Sequence, residues 1–177
     1  MKKKLSKIIW FTGLSGVGKS TISNFLFKIL KEKKYKVLKV DGDNFRKKTK
    51  NTNNFTVKNI TKNNFQITTY LKKKYGKYDF ILVSVISPLK KTRNYAKNVF
   101  QKNYFEVNVH CGLKTLIKRD TKGLYKKAIK KEINNLIGFN SRIKYQKSNY
   151  KVIRVNTDKL SIRKSAQKVF KIIKNEI

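Results

Sequence analysis

The run Gly13-Leu14-Ser15-Gly16-Val17-Gly18-Lys19-Ser20 decides the fold. It matches the phosphate-binding pattern GxxxxGK[ST] and stands where that pattern works, between an apolar run at residues 8–12 and an amphipathic stretch opening at Lys19. Glycines let backbone N–H groups curl round a phosphate, and the amino end of the following helix adds positive potential. Gly13, Leu14, Ser15, Gly16, Val17 and Gly18 are therefore the candidate cradle, Lys19 the candidate bridge between β- and γ-phosphates, and Ser20 a candidate Mg²⁺ ligand. Thr21 reads first as a packing residue of the helix and second as a further nucleotide contact.

Outward from this loop, short β-branched or aromatic runs alternate with helical periodicity. Strands are expected at residues 7–12, 36–40, 80–85, 105–109 and 152–155, several too continuously apolar to be half exposed. Helices are expected at 19–33, 57–74, 90–100, 113–119, 129–136 and 161–174. This alternation predicts a doubly wound α/β sheet in a single domain spanning residues 1–177. The polar stretches 47–54 and 138–151 read as long loops, which in compact domains often cover substrates.

The chain carries 45 lysine and arginine residues against nine aspartate and glutamate, a formal charge of +36, with 39% hydrophobic residues for a core. Counterion release makes a polyanion the first partner to consider. Only six of the cations are arginine, the residue suited to bidentate base reading, and the lysines are strewn along the chain. Nucleic acid is thus disfavoured as a partner, and the charge reads as a solvated surface that steers small anionic substrates. No stretch reaches the roughly 20 apolar residues that span a bilayer. The basic residues 2–4 lead into a strand without a cleavage-like site, and the single Cys111 has no internal disulfide partner, so no membrane association and a cytoplasmic location are expected.

At the end of the second expected strand stands Asp41-Gly42-Asp43-Asn44, with Arg46 two residues on. Ligands of open α/β sheets collect at the carboxyl ends of strands, so two carboxylates there, in a chain with nine acids, point to chemistry. One could hold Mg²⁺ through water while the other accepts a proton from an attacking hydroxyl, and Arg46 could clamp an anionic acceptor. A solvated Asp-Gly turn is the competing reading. The third strand carries no acidic residue, which moves the burden to this pair. His110 has no second histidine and no acidic cluster beside it, while Cys111, Trp10, Tyr70, Tyr75, Tyr78 and Phe80 read as core or helix-flank residues.

Taken together, these residues resemble the adenylylsulfate (APS) kinase family. The likeness runs through residues 9–21, Asp41 to Arg46, Asn54-Phe55-Thr56, Ile86-Ser87-Pro88, and Arg119-Asp120 followed by Lys122-Gly123-Leu124-Tyr125-Lys126-Lys127-Ala128. It implies an α/β, P-loop nucleotide-kinase-like three-layer fold with a mainly parallel sheet and a mobile lid at residues 122–127. It implies ATP- and Mg²⁺-dependent phosphorylation of the 3′-hydroxyl of APS, giving PAPS and ADP. By the same resemblance Lys19, Asp43, Ser87 and Arg119 are catalytic, with Asp43 the base, and Ser20 and Asp41 hold the metal. Arg119 and Thr157 join the phosphate loop around ATP, while Asp43, Arg46, Phe55, Asn63, Ile86, Ser87, Lys126 and Leu136 hold APS. Family descriptions sometimes make the serine at Ser87 a phosphorylated intermediate. Direct in-line transfer needs only positioning and charge stabilisation, so Ser87 reads here as a positioning or substrate-contacting residue.

The chain departs from the family pattern at Ile60, where arginine is usual, at Leu136, where phenylalanine is usual, and around 138–151, which lacks a proline-containing acidic stretch. A homodimer is compatible with this reading. Two competing readings are a divergent kinase acting on another activated nucleotide, such as a cytidine diphosphate derivative, and a non-catalytic nucleotide- or nucleic-acid-binding module. The intact set Lys19, Ser20, Asp41 and Asp43 favours the enzyme, since a pure binder needs no base.

Overall fold

The first strand, β1 (Lys7–Thr12), is central because five of its six residues are buried and its alternate side chains serve opposite faces. Ile9 and Phe11 enter one apolar layer, Ile8 and Trp10 the other. The computed structural model describes residues 5–48 and 56–176. With β2 (Val37–Asp41), β3 (Phe80–Ser84), β4 (Tyr104–His110) and β5 (Ile153–Asn156), β1 forms one sheet in the order β2-β3-β1-β4-β5. Every pairing is parallel. The winding reverses at β1, so the carboxyl ends of the central strands open on a crevice.

Helices cover both faces. On one, α1 (Lys19–Glu32) and α7 (Ile162–Lys174) bury Ile22, Leu26, Leu30, Ala166, Val169 and Ile173. On the other, α3 (Val57–Lys74) and α4 (Lys90–Phe100) bury Ile67, Leu71, Ala96 and Phe100. The short helices α2 (Gly42–Lys48), α5 (Leu113–Arg119) and α6 (Leu124–Ile129) and a 3₁₀ turn at Gln101–Asn103 complete the described elements. This is the expected three-layer architecture, and Trp10 and Phe80 lie in the core as read. Ile60 is also buried, on α3. Among the described residues no helix is long and apolar enough to cross a membrane.

Three local expectations change. The helix expected at 129–136 does not form, because the carboxylate of Asp120 accepts from the N–H groups of Tyr125 (3.0 Å) and Lys126 (2.8 Å) and starts α6 earlier. Lys131 then adopts φ 61°, a left-handed conformation that ends a helix. Conversely, Asp41-Gly42-Asp43-Asn44 is no loose turn: Asp41 Oδ1 accepts from the N–H groups of Asp43 (3.0 Å) and Asn44 (3.2 Å) and so caps α2. The stretch 138–151 has no regular structure, as expected, but it is strapped to the sheet rather than laid over the site. Arg93 and Glu106, each 1% exposed, pair at 3.2 Å, and Glu106 also accepts from Ser148 Oγ (2.8 Å) and Tyr150 OH (2.6 Å). These extra bonds satisfy an ion pair that desolvation would otherwise penalise.

Candidate active site

The ends of β2 and β3, the phosphate loop and the turn after β5 enclose a cavity of about 580 Å³, within the usual size of small-molecule sites. Glycine is required at the root of the loop. Gly13 has φ 145°, and a Cβ there would stand 2.1 Å from the Val109 carbonyl oxygen. Gly18 (φ 95°) launches α1, and Ser15 to Ile22 line the cavity, so the amino end of a helix faces the space an anion would fill. Lys19 is buried, and its Nζ donates to the carbonyls of Gly13 (3.0 Å) and Leu14 (2.7 Å). Burial lowers its pKa to about 8; the Lys122 charge acts in the same direction, while Asp43 and Asp41 oppose it.

The two carboxylates have separate surroundings. Asp41, while capping α2 through Oδ1, accepts from Ser20 Oγ through Oδ2 at 2.7 Å. Two hard oxygen groups thus meet beside the phosphate loop, a donor set suited to Mg²⁺ completed by water and phosphate oxygens. Asp43 is ion-paired with Arg46 Nη2 at 3.0 Å and with Lys122 Nζ. Burial pushes its pKa up, but the Lys122 bond and charge, helped by Arg46 and Lys19, outweigh burial and hold the carboxyl below its ordinary value. It is a carboxylate at neutral pH.

Across the cavity, Arg119 donates to Thr157 Oγ1 (3.0 Å) and to the Thr157 carbonyl (2.8 Å), and Thr157 Oγ1 donates to the Val17 carbonyl (3.2 Å). This ties the end of α5 and the turn after β5 to the phosphate loop. Leu160 and Ile162 line the same side, where they offer an apolar surface. Tyr125 OH donates to the Ser15 carbonyl at 3.1 Å, so α6 also braces the loop, and burial pushes the Tyr125 phenol up to about 12.

Of the residues expected from sequence, Ser15, Gly16, Val17, Gly18, Lys19, Ser20, Thr21, Asp41, Asp43, Ile86, Arg119 and Thr157 line this one cavity. Thr21 is exposed at its edge and not packed inward as expected, because its position on α1 faces away from the Ile22 and Leu26 core stripe. Gly13 and Leu14 stand behind the lining and supply carbonyls to Lys19. Arg46 is buried against Asp43.

Besides Gly13, Leu14 and Arg46, four more expected residues lie outside the lining. Ser87 is fully buried and its hydroxyl bonds Thr92 Oγ1 at 3.0 Å, so its side chain is not presented for phosphorylation. Leu136 is buried in the core. Lys126 is exposed on α6. Asn63 is buried on α3, and its Oδ1 has no hydrogen-bond partner among the described residues. Phe55 lies outside the described residues.

Sequence reading did not single out Ser84, Leu160, Ile162 or Tyr145, and it placed Lys122 only in a lid segment. Ser84 carried a signal, since it ends a strand in register with Asp41. A wider groove of about 950 Å³ runs along α3 past Val57, Phe65 and Tyr70, but its described lining includes neither a carboxylate nor a glycine turn.

The adenylylsulphate kinase family model matches residues 5–155. Adenylyl-sulfate kinase of Clostridium acetobutylicum is 34% identical over 98% of this chain and 86% of its own length. The probable adenylyl-sulfate kinase of Pyrococcus abyssi is 36% identical over 92% of each. Among solved structures, the APS kinase of Mycobacterium tuberculosis in complex with AMPPNP and APS superposes with a TM-score of 0.87 at 32% identity, covering 96% of this chain and 98% of that one. Shikimate kinase of Acinetobacter baumannii, at 14% identity and a TM-score of 0.63, shares the fold. The matched span, the near-full-length coverage of named relatives and the sheet order with its phosphate loop agree, and the chain belongs to the adenylylsulphate kinase family.

Proposed function

We propose that the protein transfers the γ-phosphoryl group of ATP to the 3′-hydroxyl of adenylylsulfate, giving PAPS and ADP and so activating sulfate. The observation that carries this reading is the meeting, in one cavity, of the Lys19 and Ser20 end of the phosphate loop with the Asp41 and Asp43 carboxylates. Lys19 exchanges its bonds to the Gly13 and Leu14 carbonyls for β- and γ-phosphate oxygens. Ser20 and Asp41 would hold Mg²⁺, which would supply charge neutralisation at the phosphates. Arg119, Thr157, Leu160 and Ile162 receive the adenosine end of ATP.

Asp43 faces the acceptor. Lys122 is on its carboxylate and withdraws to admit the hydroxyl, then stands near enough to offset phosphoryl charge. The acceptor oxygen forms a bond to γ-phosphorus as the bond to the β,γ-bridging oxygen breaks; ADP leaves and the hydroxyl proton passes to Asp43. The buried Ser87 hydroxyl favours direct transfer over a phosphoserine route. Arg46, Ile86, Asn63 and Phe55 are assigned to the acceptor side by the family resemblance. A homodimer is compatible with this reading, and light scattering would show the assembly.

The test is ADP release over a panel of acceptors headed by adenylylsulfate, with Asp43→Asn beside the wild type. Adenylylsulfate is expected to give the highest kcat/KM, and Asp43→Asn to lower kcat by about two orders of magnitude with ATP affinity little changed. Turnover of a cytidine-based acceptor but not of adenylylsulfate would reassign the acceptor, and undiminished rate in Asp43→Asn would remove the base from the mechanism.

A further inference from the structure

Tyr145 comes from the irregular stretch 138–151, yet its hydroxyl lies at the root of the phosphate loop. It accepts from the Gly13 N–H at 2.7 Å and from the Ser87 N–H at 3.2 Å, and it bonds Thr12 Oγ1. A phenol oxygen has two lone pairs and one proton. The two backbone donors fill the lone pairs, so the phenol proton goes to Thr12 Oγ1. Thr12 in turn points its own proton toward the Ser87 carbonyl, 3.4 Å away. All four groups then have defined roles.

The ring is held as firmly as the hydroxyl. The Arg93 guanidinium carbon lies 5.6 Å from the Tyr145 ring centroid, and the same guanidinium donates to the carbonyls of Ser87 and Gln146. Arg93 is anchored below by its buried pairing with Glu106. Burial raises the Tyr145 phenol above its ordinary pKa, which keeps it protonated and able to donate.

We propose that Tyr145 is a positioning residue that couples the two halves of the site, its hydroxyl holding Gly13 on the nucleotide side and Ser87 on the acceptor side in one fixed relation. Nucleotide binding at the phosphate loop is thereby transmitted to the segment Ile86-Ser87-Pro88. The inference rests on the assignment of that segment to the acceptor in the proposed reaction, but its deciding readout, hydrogen exchange, uses no acceptor.

The experiment is hydrogen–deuterium exchange of the full chain, with and without Mg²⁺ and a non-hydrolysable ATP analogue. In the wild type, the analogue is expected to slow exchange both at residues 13–20 and at residues 84–92. Tyr145→Phe keeps the ring over Arg93 and removes only the hydroxyl. It should retain the slowing at 13–20 and lose most of that at 84–92, while KM for adenylylsulfate rises about tenfold. Thr12→Val, which removes the phenol's acceptor and nearly conserves shape, should give a smaller loss of the same kind, and it decides the matter if the phenylalanine variant does not fold.

Slowing at 84–92 that persists in the variant, or is absent from the wild type, overturns the proposal. A lowered melting temperature alone would mean only a structural role and would also overturn it. Failure of the reaction assignment appears separately, as wild-type indifference to adenylylsulfate in the acceptor panel.

Discussion

Lys19 donates to two loop carbonyls, and burial together with the Lys122 charge brings its pKa down to about 8. A bound polyphosphate favours the ammonium form, so it raises this pKa. The linkage sign follows: below pH about 8 the lysine is charged in the free and bound protein alike, whereas above it the free protein has released a proton that binding must recover. ATP affinity should therefore be flat near pH 7 and fall by up to about one decade per pH unit above about 8. Calorimetric titration in two buffers of different ionisation enthalpy checks this, with proton uptake near zero at pH 7 and approaching about one above pH 9. Uptake that did not change with pH would mean that Lys19 is not the titrating contact. Lys19→Ala should nearly abolish turnover and remove the pH dependence with it.

At the scale of elements, β2, the phosphate loop and α2 share one carboxylate. Asp41 caps α2 with one oxygen and bonds Ser20 with the other, so its two duties separate by substitution. Asparagine caps a helix about as well as aspartate, while alanine does not, at a cost of about 0.5–2 kcal/mol. Asp41→Asn should keep the wild-type melting temperature yet need more Mg²⁺ for half-maximal rate, whereas Asp41→Ala should lose both; thermal unfolding and Mg²⁺ titration read the two effects independently. The same element shows how far the sequence could be read. The phosphate loop and the strands were legible because their signals are local: glycine spacing, β-branched runs, a lysine opening a helix. The pair Asp41 and Asp43 was legible as two carboxylates at a strand end facing the phosphate loop, but α2 was not, since Asp-Gly suggests a turn unless the aspartate is recognised as a cap. Apolar spacing alone suggests a helix at 129–136, whereas the Asp120 carboxylate starts α6 at Leu124. Tyr145 gave no local signal at all, because its bonds reach residues 132 and 58 positions away.

Over the whole molecule, charge separates by role. Six of the nine acidic residues have specific structural or site duties: Asp41 and Asp43 in the cavity, Asp120 and Asp158 on backbone N–H groups beside it, Glu106 in the buried pair, and Asp79 on the Lys36 N–H. The 45 cations against nine acids leave +36, and among the described residues most of the lysines are exposed. Such a field draws any small anion toward the molecule without choosing among anions, because selectivity belongs to the cavity. Its effect should appear in encounter and vanish on screening. The Debye length falls from about 10 Å at 0.1 M salt to about 3 Å at 1 M. Raising NaCl from about 0.05 to 0.5 M should then lower kcat/KM for the anionic acceptor roughly three- to tenfold while kcat, set after binding, changes little. Steady-state rates across that salt range, repeated with a neutral osmolyte in place of NaCl, provide the measurement. A fall in kcat as large as that in kcat/KM would place the salt effect on the bound complex, at Lys122 and Asp43, instead of on the approach of substrate.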